Sequence, residues 1–261
     1  MSGINLFLLR GLTRESGHWG SFIDLMKKEL PPTAKIFLMD LPGSGIHVKK
    51  KASVSVPVMV DFMREIHYHQ LQNPDSVNII CATSLGGMLA SDWVIRYPFD
   101  FNGLVIINSS FKYICKNSER IHKRVRLDMV KILFSRTIEK REALIIKVNS
   151  NKPELYQDLC KDWSKIQYER KMTRMNIFRQ SIAGYFYGLK NEKPTIPLLI
   201  IGSKGDRMVC PECIDKIHIA FGGTLLWHPT SGHGLPIDDP KWLSEQVGNW
   251  CKKNFLNFLK L

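Results

Sequence analysis

Short apolar runs alternate with longer segments of helical spacing along two parts of the chain. Each run is four to seven residues long, which is too short for a helix and typical of a strand that is buried on both faces. The six predicted strands lie at 4–9, 35–40, 77–81, 104–107, 196–202 and 224–227. The helices predicted between and after them lie at 19–30, 58–69, 86–97, 210–221 and 239–250. This alternation predicts right-handed crossovers and a mostly parallel sheet of about six strands.

The alternation stops in the middle of the chain, where helical and charge-rich spacing replaces it. We therefore predict an α/β core formed by residues 1–110 and 191–261, with a helical cap inserted at 111–190. Three helices are predicted inside the insertion, at 120–133, 139–148 and 155–168.

The composition is that of a globular protein that folds without disulfides or metals. The chain has 261 residues, of which 44% are hydrophobic and 23% charged. Its six cysteines are scattered, which favours free thiols in a reducing compartment. Cys210 and Cys213 form a close pair but lack a second Cys/His pair at metal-ligand spacing, so we predict neither zinc nor redox chemistry there. With no basic leader and no membrane-spanning apolar run in the sequence, we predict a cytoplasmic protein.

Positive charge is concentrated in the predicted cap. The net charge is +13, and residues 112–190 carry 19 Lys or Arg against 8 Asp or Glu. One hypothesis is that this basic face recruits an acidic partner or an anionic substrate. Aromatic and methionine side chains interleave with the charges, and they could line an acyl pocket or simply pack on the core. The sequence has no nucleic-acid-binding motif, so we predict no specific nucleic-acid partner.

A serine lies at the junction of the third strand and the following helix. Residues 82–87 read Ala-Thr-Ser-Leu-Gly-Gly, a variant of the Gly-x-Ser-x-Gly nucleophile elbow. Such a corner needs small residues two positions away on either side, and Ala82 and Gly86 meet that need. Ser84 is therefore a candidate nucleophile, although serine is also favoured as a helix N-cap.

Two other loops at the predicted carboxyl ends of strands carry an acid and an imidazole. Asp206 follows the fifth strand and His233 follows the sixth. A serine hydroxyl needs an imidazole to accept its proton and a carboxylate to orient the imidazole. We therefore predict that His233 is the general base for Ser84 and that Asp206 orients it.

Other side chains could take these places. His18 and His228 compete with the loop histidine, but His228 lies at the very end of its strand. Asp238 and Asp239 compete with the loop carboxylate, yet both resemble the start of the last helix, and Asp239 is better explained as a helix cap.

Two backbone NH groups are predicted to bind the oxyanion. One belongs to Leu85, directly after the serine, and the other to Leu12, in the loop after the first strand.

Taken together, these segments resemble the α/β-hydrolase superfamily and, more narrowly, small bacterial serine esterases with a helical cap. The resemblance rests on residues 10–12 with 18–20, 40–45, 82–87, 205–207 and 232–234. It implies hydrolysis of a carboxylic ester or thioester of a small acyl substrate through an acyl-enzyme, with no metal and no organic cofactor. Hydrolysis of a lactone, an amide or a carbon–carbon bond on the same fold is an alternative, as is a noncatalytic binding protein.

The chain departs from that family at two positions. Arg10 stands where a histidine is common, and Ala82 stands where a glycine is common. Arg10 could brace the oxyanion loop or place a fixed positive charge near the site. A single methyl group at Ala82 is not expected to abolish the turn.

Overall fold

Six parallel strands form one sheet in the computed structural model, which describes residues 3–73 and 76–255. In spatial order the strands are β2, β1, β3, β4, β5 and β6, and each neighbouring pair is parallel. The predicted α/β architecture with a six-stranded parallel sheet is confirmed. The strands are β1 (Gly3–Leu9), β2 (Lys35–Met39), β3 (Ser76–Thr83), β4 (Gly103–Ile107), β5 (Leu198–Ser203) and β6 (Thr224–His228).

Helices cover both faces of this sheet, as expected for strands that are apolar on both sides. On β3, Ile80 packs in the cluster formed with α2, α3 and α9, whereas Ile79 packs in the cluster formed with α1 and α11. The helices are α1 (Phe22–Glu29), α2 (Val56–Leu71), α3 (Leu85–Arg96), α4 (Asn117–Arg120), α5 (Arg126–Phe134), α6 (Ile138–Asn149), α7 (Tyr156–Glu169), α8 (Arg174–Phe186), α9 (Glu212–Phe221), α10 (Leu235–Asp238) and α11 (Pro240–Phe255).

Between β4 and β5 the described chain contains α4 to α8 and no strand of the sheet. These β4–β5 helices build an apolar cluster of their own around Ile145, Ile146 and Trp163, which also includes Ile237 from α10. The boundaries 1–110, 111–190 and 191–261 stay a prediction. Residues 1–2, 74–75 and 256–261 of that predicted core lie outside the described residues.

The last helix, predicted at 239–250, extends to Phe255. Two other predicted helices are interrupted by turns. The helix expected at 19–30 begins at Phe22, because Gly20 has a φ of 57° and separates it from a 3₁₀ turn at Ser16–Trp19. The helix expected at 120–133 is broken after Arg120. There the backbone NH of His122 donates to Met208 O at 2.8 Å, and the His122 side chain caps the next turn.

Candidate active site

Ser84 occupies a sharp corner between β3 and α3. Its φ of 54° and ψ of −122° lie in a region that side chains other than glycine rarely adopt. The corner requires the glycine at 86, since a Cβ there would lie 2.7 Å from the carbonyl oxygen of Arg10. The methyl group of Ala82 is fully buried and does not prevent the turn. The Ser84 side chain makes no hydrogen bond to the helix, so the helix-cap explanation is wrong.

Asp206 and His233 form a buried pair. Asp206 Oδ2 lies 2.7 Å from His233 Nδ1, and the two side chains are 3% and 5% exposed. The other carboxylate oxygen accepts hydrogen bonds from the backbone NH groups of Met208 and Val209, at 2.7 and 3.0 Å. An ionised carboxylate only accepts, so His233 donates from Nδ1 and carries its lone pair on Nε2. This Nε2 is buried and has no hydrogen-bond partner among the described residues.

The predicted residues meet at one cavity of about 310 Å³. Ser84 and His233 lie on its wall with Leu12 and Leu85, while Asp206 lies behind His233 and does not line it. The structure thus brings together all five side chains or backbone positions that the sequence singled out.

The cavity wall is mostly apolar and is built partly by the β4–β5 helices. Phe178 and Tyr185 of α8 line it. Trp163 and Met172 are buried but lie off this wall, so they pack against other side chains. Of the aromatic and methionine side chains in this region, some therefore line the cavity and others pack in the protein interior.

The competing histidines and Asp239 have other contacts. His228 Nδ1 accepts from the backbone NH of Ser231 at 2.8 Å, and its Nε2 lies 3.2 Å from Asp239 Oδ2. Asp239 Oδ1 accepts from the backbone NH of Trp242 at 3.0 Å, which confirms its prediction as a helix cap. His18 is fully buried, and this burial lowers its pKa well below the usual value.

The sequence reasoning missed Asn108, which braces two of the loops. Asn108 has a φ of 47° and follows β4 directly. Its amide nitrogen donates to Ser203 Oγ at 2.9 Å and to His233 O at 3.0 Å, and its amide oxygen accepts from the backbone NH of Ser203. The available signal was the position of a polar residue at the carboxyl end of a buried strand.

Asp238 also has a role that its position before the last helix did not reveal. Its carboxylate accepts from the backbone NH of Gly232 at 2.7 Å, next to the histidine. It also accepts from Ser150 Oγ at 2.5 Å and from the backbone NH of Asn151 at 3.0 Å. Asp238 therefore ties the histidine loop to the segment that follows α6.

Residues 3–73 and 76–255 show neither a metal-binding cluster nor a membrane-spanning helix. No group of three or more His, Cys, Asp or Glu side chains there is placed to hold a metal ion. None of the helices in this part of the chain is long and apolar enough to cross a membrane.

Residues 5–238 match the model of the family described as serine aminopeptidase, S33. Two curated proteins match over shorter stretches. The pimeloyl-[acyl-carrier protein] methyl ester esterase of Wigglesworthia glossinidia brevipalpis is 29% identical over 107 residues, covering 41% of this chain and 37% of that protein. The enzyme of the same name from Nitrosospira multiformis is 29% identical over 115 residues, covering 43% and 41%. The matched region thus spans about two fifths of the length of these curated relatives.

Solved structures share the fold over nearly the whole chain. An esterase from Exiguobacterium antarcticum superposes with a TM-score of 0.76 at 17% identity, covering 96% of this chain and 92% of that one. An enol-lactonase from Burkholderia xenovorans LB400 superposes with a TM-score of 0.75 at 13% identity, covering 97% and 92%. At such identities these likenesses show the fold alone.

Proposed function

The chain belongs to the serine aminopeptidase S33 family of α/β-hydrolases, and from this premise we propose that it is a serine hydrolase that cleaves a carboxylic ester or thioester. The observation that carries the proposal is the unpaired Nε2 of His233, held by Asp206 on the cavity wall that also carries Ser84. The curated relatives named as methyl ester esterases support an ester over a peptide as substrate.

In the proposed reaction, Ser84 Oγ attacks the carbonyl carbon while His233 Nε2 accepts the hydroxyl proton. Asp206 stabilises the imidazolium that forms. The backbone NH groups of Leu12 and Leu85 hold the oxyanion of the tetrahedral intermediate. His233 then returns the proton to the leaving alcohol or thiol, and a water molecule hydrolyses the acyl-enzyme by the same steps.

We further propose that the β4–β5 helices act as a cap that sets the choice of acyl group. Phe178 and Tyr185 support this role because they line the cavity from α8. The basic residues of the cap would face an acidic partner or an anionic substrate, and a cytoplasmic location stays a prediction. No step of the proposed reaction calls for a metal or a cofactor.

The test is hydrolysis of a chain-length series of p-nitrophenyl esters and acyl thioesters by wild type and by Ser84→Ala. We expect kcat to fall by about 10⁴-fold to 10⁶-fold, the range seen when a triad nucleophile is removed. Ser135→Ala, which lies off the cavity wall, serves as the control and should keep wild-type activity. Equal activity of Ser84→Ala and wild type would overturn the assignment of the nucleophile.

Failure of a fluorophosphonate probe to label the folded wild type would instead favour a noncatalytic binding protein. A product screen with lactones, amides and carbon–carbon bond substrates separates the remaining hydrolytic reactions.

A further inference from the structure

Arg10 is a buried cation on the wall of the active-site cavity. It is 4% exposed, and its guanidinium carbon lies 5.0 Å from the centre of the Trp19 ring. Its Nε and Nη1 are buried and have no hydrogen-bond partner among the described residues. A buried charge without a counter-ion is strongly disfavoured, since it loses hydration and gains nothing in return.

The side chains around Arg10 present further unpaired donors. Nε and Nη1 of Arg14, Nε2 of His18 and Nε1 of Trp19 are all buried without partners in the described chain. His18 Nδ1 accepts from the backbone NH of Glu15 at 3.1 Å, so its ring hydrogen lies on Nε2. Trp19 Nε1 can only donate. We call these four side chains the donor cluster: Arg10, Arg14, His18 and Trp19.

The carboxylates beside the donor cluster are bound to other arginines or shared with them. Glu15 Oε1 accepts from Nε and Nη2 of Arg170, at 2.8 and 2.6 Å. Glu142 accepts from Arg14 Nη2 at 2.7 Å and from Arg141 Nε at 3.3 Å. Each of these two acids thus has an arginine partner, although Glu15 Oε2 is buried without a hydrogen-bond partner in the described chain. Neither acid forms an ion pair with Arg10, so the charge of Arg10 is left uncompensated.

The cavity itself contains positive charge only. Three arginines lie on its wall, Arg10, Arg14 and Arg120, and its described lining includes no Asp or Glu. Arg120 donates to the carbonyl oxygens of Tyr185 and Gly184, at 2.8 and 2.5 Å, so its donors are occupied. Burial, with Arg14 as the next cause, lowers the pKa of Arg10 to about 9, which reports the same lack of a counter-ion.

The backbone that follows Arg10 lies against the nucleophile. Gly11 follows Arg10, and a Cβ at Gly11 would lie 2.8 Å from the Cβ of Ser84. The loop that carries Arg10 therefore abuts the reacting serine. An anionic group held by this loop would belong to a molecule whose other end lies in the apolar cavity.

We propose that Arg10 and Arg14, the two members of the donor cluster that line the cavity, bind a carboxylate of the substrate, so that the preferred substrate is a half-ester or half-thioester of a dicarboxylic acid. The free carboxylate binds at Arg10, the methylene chain lies along the apolar wall, and the ester carbonyl reaches Ser84. This inference rests on the proposed function and adds the class of acyl group to it.

The experiment compares mono-p-nitrophenyl adipate with p-nitrophenyl hexanoate, two esters of equal chain length that differ in one carboxylate. Wild type should have a higher kcat/KM for the adipate ester. In Arg10→Gln the ratio of kcat/KM for the adipate ester to that for the hexanoate ester should fall by about 10-fold to 100-fold, as expected for loss of hydrogen bonds to a charged group. Arg10→Lys should keep part of the preference, because it retains the charge but not the planar fork.

Arg124→Gln is the matched control, since it removes one positive charge from an exposed position off the cavity wall. In this control the ratio of kcat/KM for the adipate ester to that for the hexanoate ester should equal the wild-type ratio. A wild type that prefers the hexanoate ester, or an equal loss on both esters in Arg10→Gln, would overturn the proposal.

Thermal unfolding separates this proposal from the proposed function. Hexanoate should raise the Tm of wild type more than the neutral hexanamide does, and this difference should vanish in Arg10→Gln. Such a result without ester hydrolysis would keep the anion site and reject the hydrolase. Hydrolysis of both esters without any preference for the anionic one, together with equal Tm values in hexanoate and hexanamide, would keep the hydrolase and reject the anion site. If acetate or inorganic phosphate gives the Arg10-dependent shift while the adipate ester is not preferred, the cluster holds a free anion and the substrate proposal is wrong.

Discussion

At the scale of single residues, His18 links the burial of a titratable group to the stability of the fold. Its side chain is fully buried beside the Trp163 ring, with ring centres 5.2 Å apart. Burial first, then the charges of Arg14 and Arg10, lowers its pKa well below 6.5. The folded chain thus keeps His18 neutral at a pH where the unfolded chain protonates it.

The free energy of unfolding should therefore fall as the pH drops below about 6.5. In that window the unfolded state binds more protons than the folded state, and the contribution of one histidine is at most about 1.4 kcal/mol per pH unit. Above pH 6.5 the contribution is fully present. Urea unfolding of wild type and His18→Gln at pH 7.5 and 5.5 measures this contribution to the free energy of unfolding. The variant should lose less stability than wild type between the two pH values.

The control for this experiment is His69→Gln, because His69 is exposed on α2 and its imidazole meets water in the folded and unfolded states. It should show the wild-type loss between the two pH values. An identical loss in His18→Gln would mean that other groups account for the acid sensitivity.

At the scale of elements, the candidate active site depends on loops joined across long distances in sequence. Asp238, at the end of α10, bonds Gly232 in the histidine loop and Ser150 after α6. Ile145 and Val148 of α6 line the cavity. A single carboxylate thus couples the position of the histidine loop to one wall of the pocket.

Asp238→Asn should lower both stability and kcat. An amide has one acceptor oxygen, so at least one of the buried donors that the carboxylate binds loses its partner, at a cost of about 1–3 kcal/mol. Thermal unfolding and ester hydrolysis measure the two effects. Asp24→Asn is the control, since Asp24 makes an exposed pair with Lys27 and such pairs contribute little. A variant with wild-type Tm and kcat would show that Asp238 does not position the loop.

The local sequence pattern predicted where the strands and helices lie, but it did not predict the contacts between distant segments. All six strands were predicted from short apolar runs. Burial on both faces leaves this signal in the four inner strands, β1, β3, β4 and β5, and the partly exposed edge strands β2 and β6 keep a short apolar run as well. The elbow at Ser84 was also readable, since its small neighbours are adjacent in sequence. The break after Arg120 was not, because the contact from His122 to Met208 that accompanies it is made by a distant loop. The bracing contacts of Asn108 with Ser203 and of Asp238 with Ser150 were missed for the same reason, since these partners lie 95 and 88 residues away in sequence.

At the scale of the whole molecule, charge is divided unevenly between two regions of the chain. Residues 112–190 carry a net charge of +11, and the remainder carries +2. Several of the lysines responsible are exposed on the β4–β5 helices, among them Lys140, Lys161 and Lys165. A field of this kind accelerates encounter with an acidic partner, and salt screens it over about 10 Å at 0.1 M ionic strength.

If the basic helices recruit an acidic carrier, kcat/KM for an acyl thioester on an acidic carrier protein should fall from low to physiological ionic strength. The value for p-nitrophenyl hexanoate should stay constant, because a neutral ester gains nothing from the field. Reversing Lys140, Lys161 and Lys165 to Glu should lower kcat/KM for the carrier-bound substrate at low salt and flatten its salt dependence. Reversing three exposed lysines of the core, Lys28, Lys35 and Lys241, changes the net charge equally and serves as the control.

The two triple variants separate a local recruiting surface from a general effect of net charge. A larger loss in the β4–β5 variant than in the core variant would place the encounter on the helices above the cavity. Equal losses would mean that only the total charge of +13 matters. Salt-independent rates in wild type would reject an acidic partner. Such a result would not bear on the carboxylate site proposed at the buried donor cluster, because salt screens a buried pair much less than an exposed one.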